Sequence, residues 1–266
     1  MESAQFDQFS AERHGATVAL ATRPPGAAAM LAAWEHGHAQ DPVERGLILL
    51  SLACPDWPAD ALSAATIGER DRWLLALRGA MFGVRLAALV SCDACGEQLE
   101  LDVPIDDLLV APDRRNGGDP LTWRCDDGLE LRMRVPDSGD LRAAAQADED
   151  AAVPMLMRRC VVSASRAGEP VEVPALSGDL VEEAARRIMQ ADSHADLKLA
   201  LTCAACGTQW HAPLDIVAYL WAELDAWAGR MLWEIHTLAS AYGWRECDVL
   251  ALGPMRRATY LSMVFG

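Results

Sequence analysis

What the chain lacks narrows its chemistry first. It has no Gly-x-x-x-x-Gly-Lys phosphate loop, no Gly-x-Gly-x-x-Gly after a strand, no Gly-x-Ser-x-Gly elbow and no His-Glu-x-x-His helix. Its six histidines, at positions 14, 36, 38, 194, 211 and 236, are scattered rather than clustered. These absences predict a non-enzymatic protein with no small-molecule substrate. Basic residues are scarce: 23 Lys and Arg stand against 39 Asp and Glu, a net charge of −16. Such a chain is a poor fit to a nucleic-acid groove or an anionic membrane, and favours partners with neutral or basic faces. Long apolar runs are missing as well. Leu47–Cys54 is among the longest, far short of the roughly 20 residues a membrane-spanning helix needs. The opening Met1–His14 is polar and of mixed charge, unlike a secretion signal. A cytoplasmic protein with reduced thiols is expected.

Against these absences stand eight cysteines and nine tryptophans in 266 residues that are 52% apolar and 23% charged, the balance of a folded globular chain. Four of the cysteines form two matched knuckles, Cys92-Asp-Ala-Cys95-Gly-Glu-Gln98 and Cys203-Ala-Ala-Cys206-Gly-Thr-Gln209. Each follows an alternating apolar run, Leu86–Val90 or Leu197–Leu201, and precedes a Pro-apolar-Asp step, Pro104-Ile-Asp106 or Pro213-Leu-Asp215. Two cysteines three positions apart fit one tight turn and supply one edge of a tetrahedron. The glycine after the second cysteine permits the positive φ where the turn curls back. Cys92, Cys95, Cys203 and Cys206 are therefore expected to hold a structural zinc ion, with no coordination position left for catalysis. Cys54, Cys125, Cys160 and Cys247 are isolated in the sequence and read as core residues. His211, five residues past Cys206, reads as a surface or supporting residue rather than a ligand.

Read in order, the chain is expected to be α+β and mainly helical. A loose lead-in holds a strand at Thr17–Ala21 and gives way to a short helix over Ala27–His36. Asp41-Pro-Val-Glu44 starts a helix to Ala53, with Asp41 as cap and Glu44 reaching back. Thr66-Ile-Gly-Glu69 opens a second helix that Gly83 stops. Between the knuckles, Asp113–Gly118 reads as a loop, and Leu121–Cys125 and Leu129–Val135 as a hairpin across Asp126-Asp-Gly128. Helices follow over Gly139–Ala147, Asp150–Val161 and Asp179–Gln190, and the carboxylates around Asp148-Glu-Asp150 read as a solvated face. Val217, Leu220, Leu224, Trp227, Met231, Ile235, Leu238 and Tyr242 then mark a long amphipathic helix from Asp215 to Tyr242. Trp221, Leu232 and Trp233 widen its apolar stripe, so it is either deeply buried or meets a partner. Gly243 stops it, and two short helices form a tip with a basic spot at Arg256 and Arg257. The expected division is 1–85 for the N-terminal helices, 86–110 plus 197–213 for a zinc-ribbon-like core, 111–196 for an inserted α+β module, and 214–266 for the C-terminal helices.

Three stretches together resemble a known family: Ile67–Arg78 with Phe82-Gly83, the paired knuckles, and the tail Ile235–Trp244 leading to Arg256–Leu261. From about Trp34 onward, the chain resembles the T-even-phage-type baseplate hub and hub-assembly-chaperone proteins, as found in contractile injection system and phage-tail-like gene clusters. The resemblance implies a baseplate assembly chaperone or minor structural component whose partners are other hub or wedge proteins. It implies no catalytic residues and no zinc, which rests on the spacing alone. A second reading from the knuckles is a zinc-ribbon, nucleic-acid-binding or transcription-associated protein, which the charge of −16 opposes.

Overall fold

The computed structural model describes residues 24–109, 120–125, 128–171 and 178–266. The strand expected at Thr17–Ala21, the loop at Asp113–Gly118, and Asp126 and Asp127 of the hairpin turn lie outside them. Helices α1 (Ala27–Gly37), α2 (Pro42–Ala53), α3 (Ala59–Ser63) and α4 (Ile67–Phe82) lead to a first hairpin, β1 (Arg85–Ser91) and β2 (Gln98–Pro104), closed by a short α5 (Ile105–Leu108). The middle of the chain carries β3 (Leu121–Arg124), β4 (Leu129–Met133), α6 (Ser138–Ala145), α7 (Glu149–Cys160), β5 (Val161–Arg166), β6 (Glu169–Val171) and α8 (Gly178–Ala191). A second hairpin, β7 (Lys198–Thr202) and β8 (Gln209–Pro213), precedes α9 (Ile216–Tyr242), α10 (Glu246–Leu250) and α11 (Pro254–Phe265).

Local chemistry sets these boundaries. The Asp41 carboxylate accepts from the amides of Val43 and Glu44 with Pro42 at the first helical position, so α2 starts where expected. Glu44 does not reach back; it pairs with Arg142 on α6. Thr66 and Glu69 form a reciprocal capping box, with Thr66 Oγ1 accepting from the Glu69 amide at 3.1 Å and Glu69 Oε2 from the Thr66 amide at 3.0 Å. Gly83 ends α4 at φ +101° and Gly243 ends α9 at φ +67°, both costly for a residue with a Cβ. Asp179 falls inside the first turn of α8 rather than capping it.

Among the described residues three apolar clusters form. Leu49, Leu50, Leu74, Leu75 and Leu77 of α2 and α4 pack with Ile216, Val217, Leu220, Trp221 and Leu224 from the start of α9. Leu31 of α1 packs with Ala228, Met231, Ile235 and Leu238 further along α9 and with Val249 of α10. One side of α9 is thus shared by two clusters, and Trp221 belongs to it. Leu232 and Trp233 do not; they remain exposed, Trp233 by 54%. The third cluster lies under an antiparallel sheet of order β3-β4-β5-β6, where Trp123, Leu131, Met133 and Ala164 meet Met157 of α7 and Ile188 of α8.

This sheet differs from the expected two-stranded hairpin. Val161 begins a third strand where a helix was expected to finish, and Leu131 pairs with Ala164. The middle segment is stitched to the start of α4. Thr66 bridges Asp137, the Ile67 amide donates to Pro136 O at 3.1 Å, and the Gly68 amide donates to Asp192 Oδ2 at 2.9 Å. Beside that seam Asp140 is fully buried, bound by Arg134 and by Arg159 Nε at 2.8 Å. Burial alone raises its pKa, but the guanidiniums hold it below the usual carboxylate range. Asp148 and Asp150 are exposed, in keeping with a solvated face, so the acids of this segment play two different parts.

Candidate metal centre

The two hairpins are built alike. In the first, Arg85 pairs with Pro104 and the ladder runs to Ser91 opposite Gln98. In the second, Lys198 pairs with Pro213 and the ladder runs to Thr202 opposite Gln209. Each base is closed by one further bond of 2.9 Å, Ile105 N to Val84 O and Leu214 N to Leu197 O. At each tip the ladder hands over to a knuckle. Cys92 N donates to Glu97 O at 2.8 Å and Gly96 N to Cys92 O at 2.7 Å; Cys203 N donates to Thr208 O and Gly207 N to Cys203 O, both at 2.9 Å. Gly96 and Gly207 have φ of +76° and +74°, the left-handed conformation expected from the sequence.

Different anchors hold the two hairpins. The second runs directly into α9, whose first turn is capped by Asp215 accepting from the Ala218 amide at 3.0 Å. The first hangs from side chains. Arg78 of α4 is buried and donates to Gly83 O at 2.8 Å and Arg85 O at 2.5 Å, at the root of β1. It also forks onto Glu223 of α9 at 2.7 and 2.9 Å. Its guanidinium lies 5.6 Å from the Tyr219 ring centroid, and Tyr219 Oη donates to Ala87 O at 2.6 Å. Hydrogen bonding to Glu223 keeps the Arg78 pKa above its ordinary value.

These anchors bring the tips face to face. The Sγ atoms of Cys92, Cys95, Cys203 and Cys206 all lie within 4.8 Å of one another, a group that could hold a metal ion. Two contacts run between the knuckles, Cys92 to Cys206 at 3.8 Å and Cys95 to Cys203 at 3.6 Å. Cys92 and Cys203 are buried while Cys95 and Cys206 are exposed. Protons are unevenly held. The Thr208 hydroxyl and amide draw Cys206 down to about 6. The Glu97 amide lowers Cys95, yet hydrogen bonds with Cys206 and Cys203 push it up to about 12.

Other residues singled out in the sequence fall elsewhere. His211 is exposed on β8, opposite Ala200 and outside the thiol group. Cys54 and Cys160 are buried as expected, and burial raises both thiols, Cys160 to about 12. Cys247 is exposed, contrary to expectation, because the short α10 turns it outward beside Asp248. Arg257 is not part of a basic surface; it is buried, with Nε 2.5 Å from Glu234 and Nη1 3.2 Å from Leu252 O. The supporting set of Arg78, Tyr219 and Glu223 was not foreseen, since nothing in the sequence around Arg78 marks it as buried.

Comparison with known protein families finds a match. A family model described as T4 bacteriophage base plate protein covers residues 53–219. No curated protein and no solved structure matches the chain. The matched span begins at the end of α2 and stops in the first turn of α9, so it contains both hairpins and everything between them. The tail Ile235–Trp244, one of the stretches that carried the resemblance, lies beyond it.

Proposed function

The chain belongs to the T4 bacteriophage base plate protein family, and from that premise we propose that it serves as a non-enzymatic hub assembly chaperone or minor structural component of a contractile phage-tail-like particle. The observation that carries this reading is the span of the family match, which takes in both knuckled hairpins and the segment between them. A baseplate role calls for shaped, rigid surfaces rather than catalysis, and the proposed setting is assembly in the cytoplasm. Other hub or wedge proteins are the proposed partners. The helices beyond the matched span offer one surface for them: Trp233 stacks on Phe265 at 5.7 Å, both rings more than half exposed.

Within this reading Cys92, Cys95, Cys203 and Cys206 hold a structural zinc ion. A tetrahedral ion with bonds of about 2.3 Å to sulfur sets neighbouring sulfurs about 3.8 Å apart. Two of the distances here are 3.6 and 3.8 Å, and all lie within 4.8 Å. Zinc would supply a crosslink and nothing more, because four thiolates fill its shell. The residues around it would orient the thiolates: Gly96 and Gly207 curl the turns, Thr208 hydrogen-bonds Cys206 at 3.2 Å, and Arg78 fixes the first hairpin. The boundaries 1–85, 86–110 with 197–213, 111–196 and 214–266 remain the proposed division; the separate cluster under the four-stranded sheet supports the 111–196 module, whereas 1–85 and 214–266 share the other two clusters.

Two measurements test the reading. Tagged protein co-expressed with the hub and wedge proteins of its gene cluster is expected to retain at least one of them. Particles forming at normal yield without this chain would refute the assembly role. Metal analysis of protein purified without added metal is expected to give one zinc per chain.

A further inference from the structure

The cluster's shape bears on what happens when metal is lost. Each hairpin presents one buried and one exposed thiol, and the exposed thiol of one knuckle is close to the buried thiol of the other. This follows from the matched construction of the hairpins, which places Cys92 and Cys203 at equivalent positions and Cys95 and Cys206 likewise. The knuckle backbones are themselves fixed by the ladder bonds beneath them and the Gly96 and Gly207 turns. To form a disulfide, Sγ atoms at 3.6 and 3.8 Å must close to about 2.05 Å.

We propose that under an oxidant the four thiols close into two disulfides across the knuckles, Cys92–Cys206 and Cys95–Cys203, so that the tie between the hairpins passes from metal to covalent bond without being broken. With hydrogen peroxide as oxidant the chemistry balances in two steps. An exposed thiol, Cys95 or Cys206, gives up its proton and attacks the peroxide, breaking the O–O bond; the sulfur becomes a sulfenic acid, and the hydroxide that leaves takes up the proton as water. The buried thiol opposite then attacks that sulfur, the S–O bond breaks, the S–S bond forms, and a second water leaves. Two turns of this sequence consume two peroxides and all four thiols. The exposed member of each pair is the one the oxidant reaches, and the buried member resolves it. Bridges within a knuckle would close small rings and cut the hairpins apart. Bridges across them join residues 114 and 108 positions apart, as the metal does. A particle component that leaves the reducing cytosol would keep its shape by this route.

The inference rests on the cluster acting as a tie, not on which metal fills it. Its test uses the full chain, folded and loaded with zinc, treated with hydrogen peroxide. Released metal is followed with a chromogenic chelator, and bridges are mapped by mass spectrometry of non-reduced peptides. The expected result is the loss of four hydrogens per chain, with Cys92 linked to Cys206 and Cys95 to Cys203. Dominant Cys92–Cys95 and Cys203–Cys206 bridges, or sulfinic acids without bridges, would overturn it. A second arm compares C92S/C206S, which keeps Cys95 and Cys203 at 3.6 Å, with C203S/C206S, which keeps a single knuckle. The first should bridge and the second should not; equal bridging also overturns the proposal. Zinc content before oxidation is read separately, so a protein purified without metal would refute the zinc reading and leave the bridge pattern to be scored.

Discussion

Replacing Arg78 by alanine should be far more damaging than removing an ordinary surface charge. The side chain is 4% exposed and holds four oxygens at once: both of Glu223 and the carbonyls of Gly83 and Arg85. Taking away one partner of a buried ion pair costs about 3–5 kcal/mol, whereas Gly83 and Arg85 are exposed, so water takes over their carbonyls. Glu223 is itself 26% exposed, so water recovers part of its loss and the lower end applies, about 3 kcal/mol. For a chain of this size that corresponds to a fall of roughly 6–12 °C in melting temperature. Arg78→Lys keeps a charge and a stem but cannot fork onto Glu223 while reaching two carbonyls, so about 1–2 kcal/mol should still be lost. Arg85→Ala is the control. Its ion pair with Asp102 is 54% and 60% exposed, and removing it should move stability by no more than about 1 kcal/mol. Denaturant titrations of the three variants, followed by tryptophan fluorescence, decide the matter. If Arg78→Ala costs no more than Arg85→Ala, the hairpin does not hang from α4 and α9 as described.

Three further outcomes follow. Cys203→Ser/Cys206→Ser should abolish stoichiometric zinc and lower the melting temperature markedly, because metal binding contributes to folding; calorimetry with metal analysis checks both. Gly68→Ala should destabilise by at least about 2 kcal/mol, since a Cβ there would lie 1.7 Å from Asp192 Oδ1; thermal melts of this variant and of Gly178→Ala, which meets open space, give the contrast. Burial raises Asp71 to about 6 against the opposing charge of Arg70. A carboxyl whose folded pKa is raised contributes most below its unfolded value of about 4, and that contribution fades as pH climbs from there to about 6, a change of about 3 kcal/mol. The wild type should therefore lose stability relative to Asp71→Asn over that window, and parallel pH curves for the two proteins would refute the assignment.

Much of the site was legible because its signals are local. Paired thiols, a following glycine and a proline step define a knuckle within a few residues, and the capping sequences at Asp41 and Thr66 are equally self-contained. What escaped was set by tertiary contact. The strand at Val161–Arg166 follows α7 without a breaker, and Ser163 and Ser165 hide its alternation. Asp140 and Arg78 look like surface charges until partners far along the chain bury them. On α9, the apolar period identified the helix but did not separate Trp221, which is covered, from Trp233, which is not.

The long helix also makes the molecule a lever. Its 27 residues form a rod of about 40 Å. Tyr219 and Glu223, near one end, grip the first hairpin through Ala87 and Arg78, while the other end carries α10 and α11. A tilt of 5° at the gripped end would swing the far end by about 3.5 Å on a rod of this length, more than a hydrogen bond tolerates. One continuous helix therefore ties the surface that carries Trp233 and Phe265 to the hairpin that carries Cys92 and Cys95.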